Sequence, residues 1–168
     1  MLYIKHIITW VFAGYTRMNV VYIATLCIID IVNPSNVIMP LLNTVAFINS
    51  VAICTSFNSA YMFDSSVFER FASKCKVTMP QFHVINMITH VLPVIICATK
   101  PLIPYYGVQA SMISCFIHCI WPLLTYRTIY LNDIYTTLPD NVWINMWIIM
   151  GISHLLTGAA LYLGLLTN

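Results

Sequence analysis

Four stretches of this chain, residues 37–57, 81–99, 103–126 and 142–166, contain no Lys, Arg, Asp or Glu. Each is about the twenty residues that an α-helix needs to cross the hydrocarbon core of a bilayer. Taken with 60% hydrophobic and 7% charged residues across 168 positions, against about 25% charged in a soluble domain, they predict an all-α integral membrane protein. Residues 2–16 and 18–32 are each short for a crossing, and Arg17 stands between them. We read six membrane segments in one domain over 1–168, with five as the alternative. The opening run reads as a first membrane segment rather than a cleaved leader, because another apolar segment follows at once.

Charge placement orients the bundle. Residues 58–78 carry Asp64, Glu69, Arg70, Lys74 and Lys76, and residues 127–141 carry Arg127, Asp133 and Asp140. Two segments separate these loops, so they share a side, opposite Lys100. Their surplus of Lys and Arg assigns them to the cytoplasm. A net charge of +2 gives no grip on nucleic acid. Of six cysteines, only Cys75 lies in a polar stretch, which is not a secreted disulfide framework. The abundance of Ile, Asn, Tyr and Met suits an A/T-rich coding sequence and an endomembrane or viral membrane.

Against this apolar background, the polar residues group. Asp30-Ile-Val-Asn-Pro-Ser-Asn36 is a helix-breaking turn, since Pro34 lacks an N–H and pushes Asn33 out of the α region. Ser35 then falls in the expected first turn of the next helix, as an N-cap or as a nucleophile over free backbone N–H groups. His83, Asn86, His90 and Cys97 share one helical face, Ser111, Cys115, His118 and Pro122 another. His154 lies with Gly151 and Gly158, small residues that admit a neighbouring backbone. Imidazoles at mid-membrane are costly and mark sites, and His90, His118 and His154 fall near the middle of three successive segments. They suit a base for a hydroxyl nucleophile, with Asp30 orienting the imidazole. They also suit helix-to-helix hydrogen bonds, or ligation of a metal or haem.

The segment Val32-Asn-Pro-Ser-Asn-Val37 resembles the Asn-Pro-Cys-His motif of the transmembrane protein 164 family, which is related to bacterial YwaF-type membrane proteins. His90 shortly before Pro93, the Cys115-Phe-Ile-His118 helix followed by Leu131-Asn-Asp133 and Pro139, and His154 in the last segment are similar to further family features in the same order. The resemblance implies an acyltransferase acting on membrane phospholipids, or a fatty-ester hydrolase. Its nucleophile falls at Ser35, where the family has cysteine, and its partner at His90. Asn33, Asn36, Asn86, His118 and His154 would line the pocket, and no cofactor is implied. A second reading is a structural or interaction membrane protein, and a third is a small-solute, haem or metal protein. Membrane lipids are the expected partners, with self-association through Ala160-x-x-x-Gly164 on the last helix.

Overall fold

A computed structural model describes residues 15–116 and 140–166. Among them the chain forms six α-helices and no strand. These are α1 (Tyr15–Val32), α2 (Met39–Phe63), α3 (Val67–Cys75), α4 (Met79–Ala98), α5 (Gly107–Cys115) and α6 (Asp140–Tyr162). Three of them, α2, α4 and α6, are long and apolar enough to cross a membrane. Arg17, expected to divide two segments, lies inside α1, where the helix runs through it without a break.

The helix ends follow local chemistry. α1 stops just before the Asn33-Pro34 break, as expected, but α2 does not start at Ser35. Asn36 instead accepts the Ile38 N–H through its side-chain oxygen at 3.1 Å, a turn that competes with helix. Helix begins at Met39 with Pro40 in its first turn, where a missing N–H costs nothing. α4 opens on a capping box between Thr78 and Gln81. Between Met87 and Val91 it widens into a π turn, closed by the Leu92 N–H on the Met87 carbonyl. The cause is Pro93, which lacks an N–H and crowds the carbonyl four residues back.

Two predicted loops and surfaces differ from expectation. α2 continues to Phe63, and residues expected in a polar loop form α3. Val67, Phe68, Phe71 and Ala72 face inward there, with Glu69 and Lys74 at the acidic-first, basic-last positions that the helix dipole favours. α3 ends on Lys76 in the left-handed conformation, φ 56°. In α6, Gly164 has φ 71°, and the Leu165 and Gly164 N–H groups bond back to Ala160 and Leu161, both at 2.9 Å. This is a Schellman ending. Gly164 therefore terminates the helix, and Ala160-x-x-x-Gly164 is not a flat stripe on it.

α2 is the central post, touching α1, α3, α4, α5 and α6. It runs antiparallel to α4: Asn58 meets Asn86, Phe57 meets His90, and Ser50 meets Cys97. Three apolar clusters stack along it. Phe57, Phe68, Phe71 and Phe82 join Val142 and Met146 at the α3 end, Ala52 and Ile53 meet Met150 in the middle, and Phe47 and Ile48 share a cluster with Leu161 at the other end. α5 and α6 approach most closely at Gly158, where an added Cβ would lie 2.4 Å from Ser111 Oγ and 2.5 Å from the Gly107 carbonyl oxygen. A Cβ on Gly151 would meet nothing within 4 Å. Only one of the two glycines thus serves the expected close approach.

Candidate functional site

The rungs between helices fix the depth of each candidate residue. Ser35 is exposed in the α1–α2 turn, with Asn33 exposed and Asn36 half-buried beside it. Nearby, Asp30 is held 2.6 Å from the Lys100 ammonium at the far end of α4. That carboxylate raises the Lys100 pKa above its ordinary value. With Asn43 and Cys97, the pair borders a gap of only about 10 Å³, room for about one water molecule.

His90 is buried and lies near the middle of α4, about 15 Å along that helix from Lys100. Its ring stacks on Phe57 with centroids 4.0 Å apart and planes at 15°. Thr89 Oγ1 is 2.8 Å from Nδ1 and Thr16 Oγ1 is 3.3 Å from Nε2. Because Thr89 donates its hydroxyl proton to the Ile85 carbonyl at 2.8 Å, Nδ1 is the donor to Thr89. Nε2 then accepts from Thr16.

Ser35 and His90 do not come together. Phe57 lies eighteen residues into α2, about 27 Å along the axis from Met39 at 1.5 Å per residue. Independently, Thr16 to Val32 on α1 spans about 24 Å. The four residue steps from Ser35 to Met39 reach at most about 14 Å even if fully doubled back. A nucleophile needs its base within about 3 Å, or one water away. Asp30 is likewise about 21 Å along α1 from Thr16, and its salt-bridge partner is Lys100 rather than an imidazole. The Asp30, Ser35 and His90 triad is therefore corrected to two separate places. One is an ion-paired turn, and the other is an aromatic-stacked histidine.

The remaining pocket residues also disperse. Asn86 is buried and donates to Asn58 Oδ1 at 3.0 Å. His154 has no exposed surface, and its Nδ1 donates to the Met150 carbonyl at 2.7 Å. With Met150 against Ala52 and Ile53, His154 lies one turn further toward Met39, about 13 Å from the His90 level. His118 lies outside the described residues. Among the described residues, no three His, Cys, Asp or Glu side chains are grouped to hold a metal ion.

A buried polar layer halfway along α2 was not anticipated. Asn19 donates to Ser50 Oγ at 2.9 Å, Ser50 donates to the Ala46 carbonyl at 2.7 Å and lies 3.9 Å from Cys97 Sγ, and Ser114 bonds Asn49. Four helices, α1, α2, α4 and α5, are tied at one depth. The signal was in the sequence, as single Asn and Ser residues inside apolar runs, where each needs a partner. Comparison with family models, curated proteins and solved structures gives no match. The expected kinship with the transmembrane protein 164 family rests on its short motifs alone.

Proposed function

We propose that this chain is a multi-pass integral membrane protein with a structural or interaction role, and that Ser35 and His90 do not act as an acyl-transfer pair. The separation between them carries the second half of this reading: the roughly 27 Å from Met39 to Phe57 along α2, less the roughly 14 Å that the connection can span, leaves at least about 13 Å. Each histidine with a described side chain inside the bundle has a packing role instead. His90 ties α1 to α4 and stacks on α2, and His154 is sealed between helices.

The distribution of polarity supports the first half. Asn49, Ser50, Ser114 and His154 are buried, while Ile85, Ile88, Leu92 and Ile95 on α4 are exposed, as are Ile144, Ile148, Ile152 and Leu155 on α6. Soluble monomers rarely expose apolar surface on that scale. Tyr105, Tyr106 and Tyr162 cluster at one end, where aromatic rings suit a membrane interface. Arg70, Lys74 and Lys76 lie at the other end, which faces the cytoplasm by the excess of positive charge. α1 is tied to the crossing helices along its length, through Thr16, Asn19 and Asp30, and crosses with them.

A serine-directed fluorophosphonate probe, applied to protein in lipid nanodiscs, tests the reading. No labelling of Ser35 above a heat-denatured control is expected, and Ser35→Ala should give the same trace. Labelling at Ser35 that His90→Ala abolishes would overturn it. Resistance to alkaline extraction from membranes tests the multi-pass claim separately.

A further inference from the structure

α1 and α4 run in the same direction, since Thr16 meets His90 and Asp30 meets Lys100. The Leu92–Ala98 part of α4 comes within 8 Å of α1, Cα to Cα, and each helix brings a cysteine to that approach. Cys27 stands three residues before Asp30, and Cys97 three residues before Lys100. Three residues is close to one helical turn, so each thiol shares a face of its helix with one partner of the ion pair. The Asp30–Lys100 contact at 2.6 Å turns those faces toward each other. Cys27 and Cys97 form the next layer, one turn deeper.

The surroundings of the two thiols agree with that placement. Both border the small gap that the ion pair also lines. Cys27 packs against the apolar cluster in which Cys97 is buried. The thiols are within electrostatic reach of each other and of the Lys100 ammonium. A disulfide spans about 4.4–6.8 Å between Cα atoms, a separation that helices this close reach at facing positions. Both thiols are free, and Cys97 Sγ rests 3.9 Å from Ser50 Oγ, a weak bond that rotation about χ1 gives up. The compartment supplies the remaining condition. This layer lies at the end of the bundle opposite Arg70, Lys74 and Lys76, hence on the non-cytoplasmic side, where disulfides form and persist.

We propose that Cys27 and Cys97 are an oxidisable pair whose disulfide staples α1 to α4, with a small disulfide such as oxidised glutathione as the oxidant. Cys27 is half-buried and Cys97 buried, so the oxidant meets Cys27 first. The Cys27 thiolate, favoured by the nearby ammonium, attacks one sulfur of the oxidant. The external S–S bond breaks, a mixed disulfide forms on Cys27, and the first small thiol leaves with the proton that Cys27 gave up. The Cys97 thiolate then attacks the Cys27 sulfur and expels the second small thiol, which takes the Cys97 proton. One external disulfide becomes two thiols, and two cysteines become one cystine. The docking of α1 then follows the redox state of its compartment.

The test uses the full chain in lipid nanodiscs, equilibrated with reduced or oxidised glutathione, quenched in acid and alkylated with N-ethylmaleimide. The reduced chain, with six cysteines, should carry six maleimides by intact mass. Oxidised glutathione should join Cys27 to Cys97 in a linked peptide at least about tenfold more abundant than any other cysteine pair, because only a facing pair has a high effective concentration. Oxidation should also raise the melting temperature by about 4 °C or more, a rise absent within Cys27→Ser and within Cys97→Ser. Cys27 left carrying glutathione that Cys97 does not displace, equal linkage to other cysteines, or a melting temperature indifferent to oxidation would each overturn the proposal. The choice of compartment rests on the multi-pass reading, whereas the linkage does not. Protein that resists alkaline extraction yet does not link sinks this inference alone, and linked protein that is extracted sinks the membrane reading.

Discussion

Replacing Gly158 by alanine is expected to destabilise the bundle, while the same replacement at Gly151, two turns earlier on α6, is expected to stabilise it. Both changes gain helix propensity, worth about 1 kcal/mol in a helix interior. At Gly151 nothing lies within 4 Å of the new methyl, so the gain stands. At Gly158 the methyl would sit 2.4 Å from Ser111 Oγ and 2.5 Å from the Gly107 carbonyl oxygen, each roughly 1 Å inside contact. One obstacle is backbone, and α5 cannot yield by turning a side chain. The reciprocal contact is as tight, since a Cβ on Gly107 would lie 2.6 Å from the Gly158 carbonyl oxygen. Overpacking of this kind costs about 1–3 kcal/mol, so the net effect at Gly158 is a loss of up to about 2 kcal/mol after the propensity gain. The two variants should differ by the overpacking cost alone, about 1–3 kcal/mol, or roughly 2–12 °C in melting temperature for a chain of this size. Thermal unfolding of the purified protein in lipid-detergent micelles, followed by tryptophan fluorescence, measures it. A second variant sharpens the cause: Ser111→Gly in the Gly158→Ala background removes one clash and leaves the carbonyl, so it should recover only part of the loss. A Gly158→Ala melting temperature at or above that of Gly151→Ala would refute the close α5–α6 approach.

His90→Ala should cost about 2–3 kcal/mol in the same assay, from the Phe57 stack and two hydroxyl contacts. Ser35→Ala, exposed in its turn, should stay within about 0.5 kcal/mol of the native chain. Lys76→Gly should raise stability by about 1 kcal/mol, because the left-handed cap suits glycine and strains any residue with a Cβ; unchanged unfolding would show that the Lys76 stem compensates. Asp64 has a depressed folded-state pKa, so its contribution is complete above the unfolded value of about 3.9 and is lost as pH falls through about 2. Asp64→Asn should therefore flatten the acid limb of a stability–pH profile between those values and remove the native chain's advantage at neutral pH. Identical profiles for the two chains would remove Asp64 from that limb.

The all-helical character and the three crossing-length helices were legible because apolar length is a direct physical requirement for a helix in lipid. α3 was not, because a nine-residue helix with four charged or hydroxyl positions reads as a polar loop until its apolar residues are counted by period. Val67, Phe68, Phe71 and Ala72 recur at one, three and one residue intervals, a helical spacing. It went unread because Asp64, Glu69, Arg70, Lys74 and Lys76 dominate the composition of that stretch. Arg17 lies within the described length of α1, since a long side chain can carry its charged head to the interface without interrupting the backbone.

The separation of Ser35 from His90 has a different reason, and one that the sequence already contained. Helical spacing tells which face a residue occupies, and of the four residues expected on one face Asn86, His90 and Cys97 are buried, whereas His83 is exposed. It says nothing of depth. Ser35 belongs to a connection between helices, hence to a membrane surface, whereas a mid-segment histidine lies half a hydrocarbon core below, about 15 Å. A turn serine and a mid-membrane imidazole can pair only where the turn re-enters or the helix is broken near its end. The single break in α4 is the π turn at Met87–Val91, which lies near the middle of the helix, where His90 stacks on Phe57. The same proline that made His90 conspicuous as a motif gives it a packing partner, so its prominence in the sequence reports a local distortion of the helix and not a reaction.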